Sequence, residues 1–297
     1  MPTISWCSGN LKWGAAALAA LITISLPASA QELAGTLKKI KDTGTITIGH
    51  REASSPFSYL DANKQPVGYA IDLCLKIVEE VKATLEKPDV TVKYAVVNAQ
   101  TRIPMVLDGS VDLECGSTTN TLARQKQVDF SATYFTTGTR LLTWKSSKIK
   151  DVEGLAGKSI AVVGGSTNEK AIKALVDAGK VKSGKLVVVK DYAEGIATLE
   201  ARKADAFATD DIVLFGLLAK SGKKKDLEVV GRFLTYDPYG VMIRRNDPDF
   251  RLTVNRALAR AFRSGEAAQL YSKWFDPLAV PMSPLLKAGF ELQAIPE

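Results

Sequence analysis

The sequence has a single histidine, His50. A His-Glu-x-x-His zinc site or a histidine-based catalytic triad therefore cannot be built from it. Cysteine is nearly as scarce. Of the three, Cys7 falls in the first thirty residues, outside any lipobox-like setting, which leaves Cys74 and Cys115. Two cysteines do not make a disulfide scaffold. They pair in an oxidising compartment or stay as buried thiols. The second is the expectation, with Cys74 in a helical pattern and Cys115 at a strand end. There is no Walker loop, because Gly164-Gly165-Ser166-Thr167 lacks the Gly-Lys-Ser/Thr ending. Ser147 and Lys150 fit Ser-x-x-Lys, but the companion motifs of that chemistry are missing. The densest basic run, Lys223–Lys225, is followed at once by Asp226 and has no aromatic neighbours to stack on bases. It reads as a solvated loop, and nucleic acid is not an expected partner. No cofactor is expected either. After residue 30 no apolar run reaches the roughly 18 residues of a membrane span.

What is present begins with a leader. Residues 1–30 carry one charge, Lys12, then an apolar run from Trp13 to Leu26 and the small-residue stretch Pro27-Ala28-Ser29-Ala30. This pattern predicts a secretory signal peptide cut near Ala30. Its removal lowers the formal charge from +7 to +6. The rest, 46% hydrophobic and 24% charged over the full chain, has enough apolar material for one large domain or two ordinary ones.

Along the chain, Gly44–Gly49 alternates like a strand. Ile71, Cys74, Leu75, Val78, Val81 and Leu85 then recur at helical spacing. A strand over Val90–Val97, a short helix over Thr101–Leu107 and a strand over Val111–Cys115 follow. The same order returns as strand Ser159–Val163, helix Asn168–Ala178, strand Leu186–Val189, helix Glu194–Lys203 and strand Asp205–Thr209. Ile103 precedes Asp112 by nine residues, as Ile196 precedes Asp205. Two such copies predict two α/β lobes with parallel inner strands. Thr136–Trp144, Val229–Leu234 and Tyr239–Ile243 read as extended connections. Asp247-Pro248 reads as the cap of a helix carrying Leu252 and Leu258, and a last helix covers Glu266–Phe275. The expected division is lobe one over 31–137 and 239–297 and lobe two over 138–238. Two crossings make a hinge, with the site in the cleft between the lobes.

The candidate site starts from Glu114–Arg124, where a strand end runs into a glycine, a group of hydroxyls and an arginine. It reads either as an anion cradle at the carboxyl end of a strand or as a polar turn with a surface arginine. Lobe one adds Arg51 and Arg102 to Ser117, Thr119 and Arg124; lobe two offers Ser166, Thr167 and Asp210. The set suits a small zwitterion with one extra negative charge. Arg124, Thr119 and Thr167 match an α-carboxylate, Asp210 and Ser117 an ammonium, and Arg51 and Arg102 a second carboxylate. The ordinary alternatives are surface arginines, Asp210 as a helix cap, Tyr192 in packing and His50 completing a strand end.

At these residues the chain resembles periplasmic amino-acid-binding proteins of ABC importers, most of all their glutamate/aspartate-binding branch. The matching pieces are Gly44–Glu52, Pro56–Tyr59, Val67–Asp72, Arg102–Pro104, Cys115–Asn120 with Arg124–Lys126, Phe130-Ser131, Gly138–Leu142 and Lys273–Phe275. The resemblance covers essentially the whole chain after the leader. It implies the two-lobed α/β periplasmic-binding-protein fold, each lobe a mostly parallel sheet flanked by helices, joined by a two-strand hinge. It implies a monomer that takes L-glutamate or L-aspartate, with their amides left open, and delivers it to an inner-membrane ABC permease. In such proteins the arginine matching Arg124 clamps the α-carboxylate and the acid matching Asp210 holds the ammonium. The position matching Arg51 tends to be acidic where basic amino acids bind. Ala70 departs from the family pattern at a helix start, and Ala99 and Tyr192 stand where glutamate binders often have Ser and His. The competing expectation is an enzyme on the same fold, a dehydratase with Glu114 as its acid. Against it, Glu114 is expected to point away from the cleft if Leu113 and Cys115 are buried.

Overall fold

Helix α1 (Gly35–Thr43) ends at Gly44 in the left-handed conformation and feeds strand β1 (Thr45–His50). The computed structural model describes residues 33–182 and 184–296, and the leader lies outside them. Among the described residues no helix is long and apolar enough to cross a membrane. A small antiparallel sheet follows, made of β2 (Ala53–Ser54), β3 (Ser58–Leu60) and β4 (Pro66–Val67). Helix α2 (Tyr69–Thr84) buries Ile71, Cys74, Val78 and Val81, as its apolar spacing predicts, together with Leu73 and Ile77, while Leu75 is only half-buried. Then come β5 (Thr91–Val96), α3 (Arg102–Leu107), β6 (Leu113–Cys115), the one-turn α4 (Leu122–Gln125), β7 (Val128–Phe130) and β8 (Phe135–Thr137).

The second lobe opens with β9 (Thr139–Trp144) and continues through β10 (Ser159–Val163), α5 (Thr167–Asp177), β11 (Lys185–Val189), α6 (Tyr192–Glu200), β12 (Ala206–Asp210), α7 (Asp211–Lys220) and β13 (Leu227–Val230). The chain returns through β14 (Asp237–Tyr239) and β15 (Met242–Arg244). It finishes in α8 (Pro248–Arg263), α9 (Glu266–Phe275) and α10 (Pro284–Gln293).

Each lobe is built on a five-stranded sheet, β5-β1-β6-β15-β7 in one and β11-β10-β12-β9-β13 in the other. In both, the first three strands are parallel and the crossover strand (β15 or β9) is antiparallel. The nine-residue spacing seen in the sequence has a structural reason. Asp112 accepts from the Thr47 amide and Asp205 from the Ser159 amide, both at 2.8 Å. The two aspartates thus tie the first and third strands of each lobe together in the same way.

Between the sheets, β8 and β14 pair antiparallel as the two-strand hinge. The hinge sits in an aromatic cluster where Phe135 and Tyr239 from the two strands pack on Phe57, Tyr69, Tyr271 and Phe275. Aromatic pairs of this kind add about 0.5–1.5 kcal/mol each beyond area burial.

One expectation is overturned here. Cys74 and Cys115 are not free thiols but a disulfide, with Cα atoms 6.3 Å apart. Helical spacing shows which face of α2 is buried but not which strand lies under it. The strand is β6, with Cys115 directly beneath Cys74.

Candidate functional site

The cradle forms because β6 ends at Cys115 and the chain turns at Gly116. A Cβ on Gly116 would lie 2.5 Å from Glu114 Oε1 and 3.0 Å from Arg51 Cγ, so any larger residue would have to displace these two side chains. Tyr134 donates its hydroxyl to the Gly116 carbonyl and anchors the turn. Arg51 leaves the end of β1, which pairs with β6, so the two strand ends present Arg51 and the cradle side by side.

Arg51, Arg102 and Arg124 are all buried, against the surface alternative. Arg124 donates to the Thr119 carbonyl at 2.7 Å and reaches across to the Gly165 carbonyl at 3.5 Å. Arg102 donates to Thr118 Oγ1 at 2.5 Å. Arg51 Nη1 and Arg102 Nε are buried with no hydrogen-bond partner. Burial, with Arg124 beside it, pulls Arg102 down from the usual arginine range to about 9, and burial also lowers Arg124. Both remain cations at neutral pH.

Lobe two closes over this set. Thr119 and Thr167 hydroxyls stand 3.3 Å apart, and Ser117 Oγ lies 2.8 Å from Ser54 Oγ and 3.1 Å from the Tyr192 hydroxyl. Tyr192 also lies under the Arg51 guanidinium, 5.2 Å from ring centroid to carbon. Tyr192 is packed into the core, as one reading has it, and its hydroxyl also reaches Ser117 at the cleft, because α6 starts at the cleft end of β11. Ser166 is spent on capping α5, accepting from the Glu169 amide at 3.0 Å.

Asp210 stands at the cap position of α7 but makes no capping bond. Its carboxylate instead accepts from Asn168 Nδ2 at 2.8 Å and from the Tyr239 hydroxyl. Burial, and then Asp237 nearby, push the Asp210 carboxyl up to about 7. His50 is buried at the strand end as read, and desolvation lowers its pKa.

The structure thus brings seven of the eight candidate hydroxyl, arginine and acid groups to facing walls, with Ser166 set aside as a cap. It adds groups that the sequence reading missed: Thr118, Asn168, Asp237 and Tyr239. Glu114 also needs correcting. Its carboxylate lies off the Leu113–Cys115 face, as expected, yet it accepts from Thr118 at 2.5 Å and so joins the arginine network. A glutamate set between Leu113 and Cys115 in a strand expected to be buried was the available signal.

Residues 46–277 match the family model of bacterial extracellular solute-binding proteins, family 3. The chain is 46% identical over 273 residues to the L-glutamate/L-aspartate-binding protein of Pseudomonas aeruginosa, covering 89% of this chain and 90% of that one. It is 44% identical to the glutamate/aspartate import solute-binding protein of Salmonella typhimurium, covering 86% and 84%. Among solved structures it is similar to an ancestral amino acid-binding protein described as a precursor of cyclohexadienyl dehydratase. That likeness has a TM-score of 0.70 and 32% identity, and covers 81% of this chain and 100% of that one.

Proposed function

Because the chain belongs to the family 3 bacterial extracellular solute-binding proteins, we propose that it captures L-glutamate or L-aspartate by closure of its two lobes and delivers it to an ABC-type permease. It does so as a periplasmic monomer after cleavage near Ala30. The division that carries this motion is 31–137 with 239–297 against 138–238. The observation that carries the ligand class is the gathering of three buried arginines, two of them with unpartnered donors. One α-carboxylate uses one guanidinium fork. The remaining donors call for a second anionic group. Arg124, Thr119 and Thr167 hold the α-carboxylate, Asp210 and Ser117 the ammonium, and Arg51 and Arg102 the side-chain carboxylate. Ser166 acts through its cap. The two binding-protein relatives carry glutamate and aspartate in their names, which supports the same reading.

The dehydratase reading gives way, since relatives over most of the chain are binding proteins. The geometry supports closure. Thr167 and Asp210 sit on the lobe opposite the cradle, so a ligand that touches both walls favours the closed state by those contacts.

Calorimetry on the mature protein with glutamate, aspartate, glutamine and arginine tests the proposal. The dicarboxylates should bind at least about tenfold more tightly than glutamine, with no arginine binding, as expected for charge-assisted hydrogen bonds of about 1.5–3 kcal/mol. Arg124→Ala should abolish binding of every ligand, and Arg51→Ala should weaken dicarboxylates most. Tight arginine binding without glutamate binding would refute the charge assignment. Equal losses in both variants would refute the division of roles.

A further inference from the structure

Glu114 is the middle residue of β6 and fully buried, yet no candidate ligand contact uses it. Its register partner Met242 packs with Val97 and Val106, so the side chain points to the face covered by α3, the helix that starts at Arg102. Thr118 joins the two. Its hydroxyl donates to Glu114 Oε2 at 2.5 Å and accepts from Arg102 Nη1 at 2.5 Å. A hydroxyl has one proton, and a guanidinium can only donate, so the direction of this relay is fixed by the groups themselves. On its other side, Glu114 Oε1 lies 2.5 Å and Arg51 Cγ 3.0 Å from the point where a Gly116 Cβ would sit. Glu114 is therefore linked to Arg102 by hydrogen bonds through Thr118, and its unpartnered Oε1 faces the same small space beside Gly116 as the Arg51 stem.

We propose that Glu114 is a positioning residue for ligand specificity: through Thr118 it fixes the pose of Arg102. It thereby sets the preference for an acidic amino acid over its amide. The proposal rests on the acidic-ligand reading above. The α-carboxylate and ammonium contacts lie elsewhere, so amide binding does not depend on the relay.

The test is the ratio of glutamine Kd to glutamate Kd in wild type, Glu114→Gln, Thr118→Val and the double variant, with folding checked by circular dichroism. Each single variant should lower the ratio about tenfold through weaker glutamate binding, with glutamine binding unchanged. The double variant should lose no more than either single, because the groups act as one chain. A merely structural role would weaken both ligands alike and would overturn the proposal, as would additive losses. If Glu114→Gln does not fold, Thr118→Val, which keeps volume and shape, decides alone. If wild type shows no preference for glutamate, the acidic-ligand reading and this proposal both fall. If wild type has the preference and both single variants keep it, only this proposal falls.

Discussion

Asp210 shows how one buried acid can make ligand capture depend on pH. Its folded-state pKa is raised to about 7, first by burial and then by Asp237 on the hinge strand, while Asn168 and Tyr239 pull the other way. Asp211 on α7 adds to the rise. The ionised form is therefore penalised in the fold. That penalty is absent below the ordinary carboxylate range, grows as pH rises through it, and is complete above about 7. An ammonium ligand needs the ionised form. Below pH 7 binding must therefore expel a proton, and affinity should rise from pH 5.5 to pH 8. Titration calorimetry in buffers of different ionisation enthalpy should detect about one proton released near pH 6. Asp210→Asn should bind weakly with little pH dependence. A flat profile in wild type would show that Asp210 does not meet the ammonium. The residue itself was legible from its place after a strand. Its pKa was not, because it depends first on burial and then on Asp237, which lies 27 positions later between two extended connections.

Helix α7 shows how an element can transmit closure. It is apolar almost all round and buries Ile212, Val213, Leu214, Gly216 and Leu217. Gly216 and Lys220 lie one turn apart on the face toward lobe one. A Cβ on Gly216 would stand 2.4 Å from the Ser55 carbonyl oxygen, and Lys220 Nζ sits 3.2 Å from the Tyr59 ring centroid. The contact is backbone against backbone, so it cannot yield by a rotamer change. Gly216→Ala should gain about 1 kcal/mol of helix propensity but lose about 1–3 kcal/mol to overpacking. The expected result is a lower melting midpoint and weaker binding of every ligand by a similar factor, with their ranking unchanged. Unchanged affinity with a raised midpoint would show that the lobes do not need this contact. Long periodic elements such as α2, α8 and α9 could be read from the chain. The two- and three-residue strands β2–β4 could not, because a period of two needs more residues to register. Helix α10 was also missed, although Ser283 caps it and Pro284 starts it, because its apolar face is short and leaves Leu285 and Leu292 exposed.

At the scale of the whole molecule, the Cys74–Cys115 disulfide closes a 41-residue loop that runs from the middle of α2 through β5 and α3 to the end of β6. Chain entropy assigns such a loop about 4 kcal/mol of stabilisation through the unfolded state. Urea unfolding with and without reductant should show the midpoint falling in the reduced protein. Identical midpoints would mean that the unfolded chain is constrained by something else. Both sulfurs are fully buried, so reduction of the native protein should need partial opening. The hinge lies outside this loop, which leaves the lobes free to move. The placement of the tryptophans has a consequence for observing that motion. Outside the first thirty residues there are two, Trp144 and Trp274. Trp144 donates to the Leu199 carbonyl at the far end of β9, roughly 17 Å along the strand from the Thr139–Asp210 pair at the cleft. Trp274 donates to Asp72 in lobe one. The aromatic rings that meet the cleft are the tyrosines Tyr192 and Tyr239. Light emitted by Trp144 therefore reports the outer end of lobe two, whereas Trp274, whose ring lies 6.0 Å from Tyr59, stands beside the Tyr59–Lys220 contact between the lobes and shares the spectral signature of capture with the phenols.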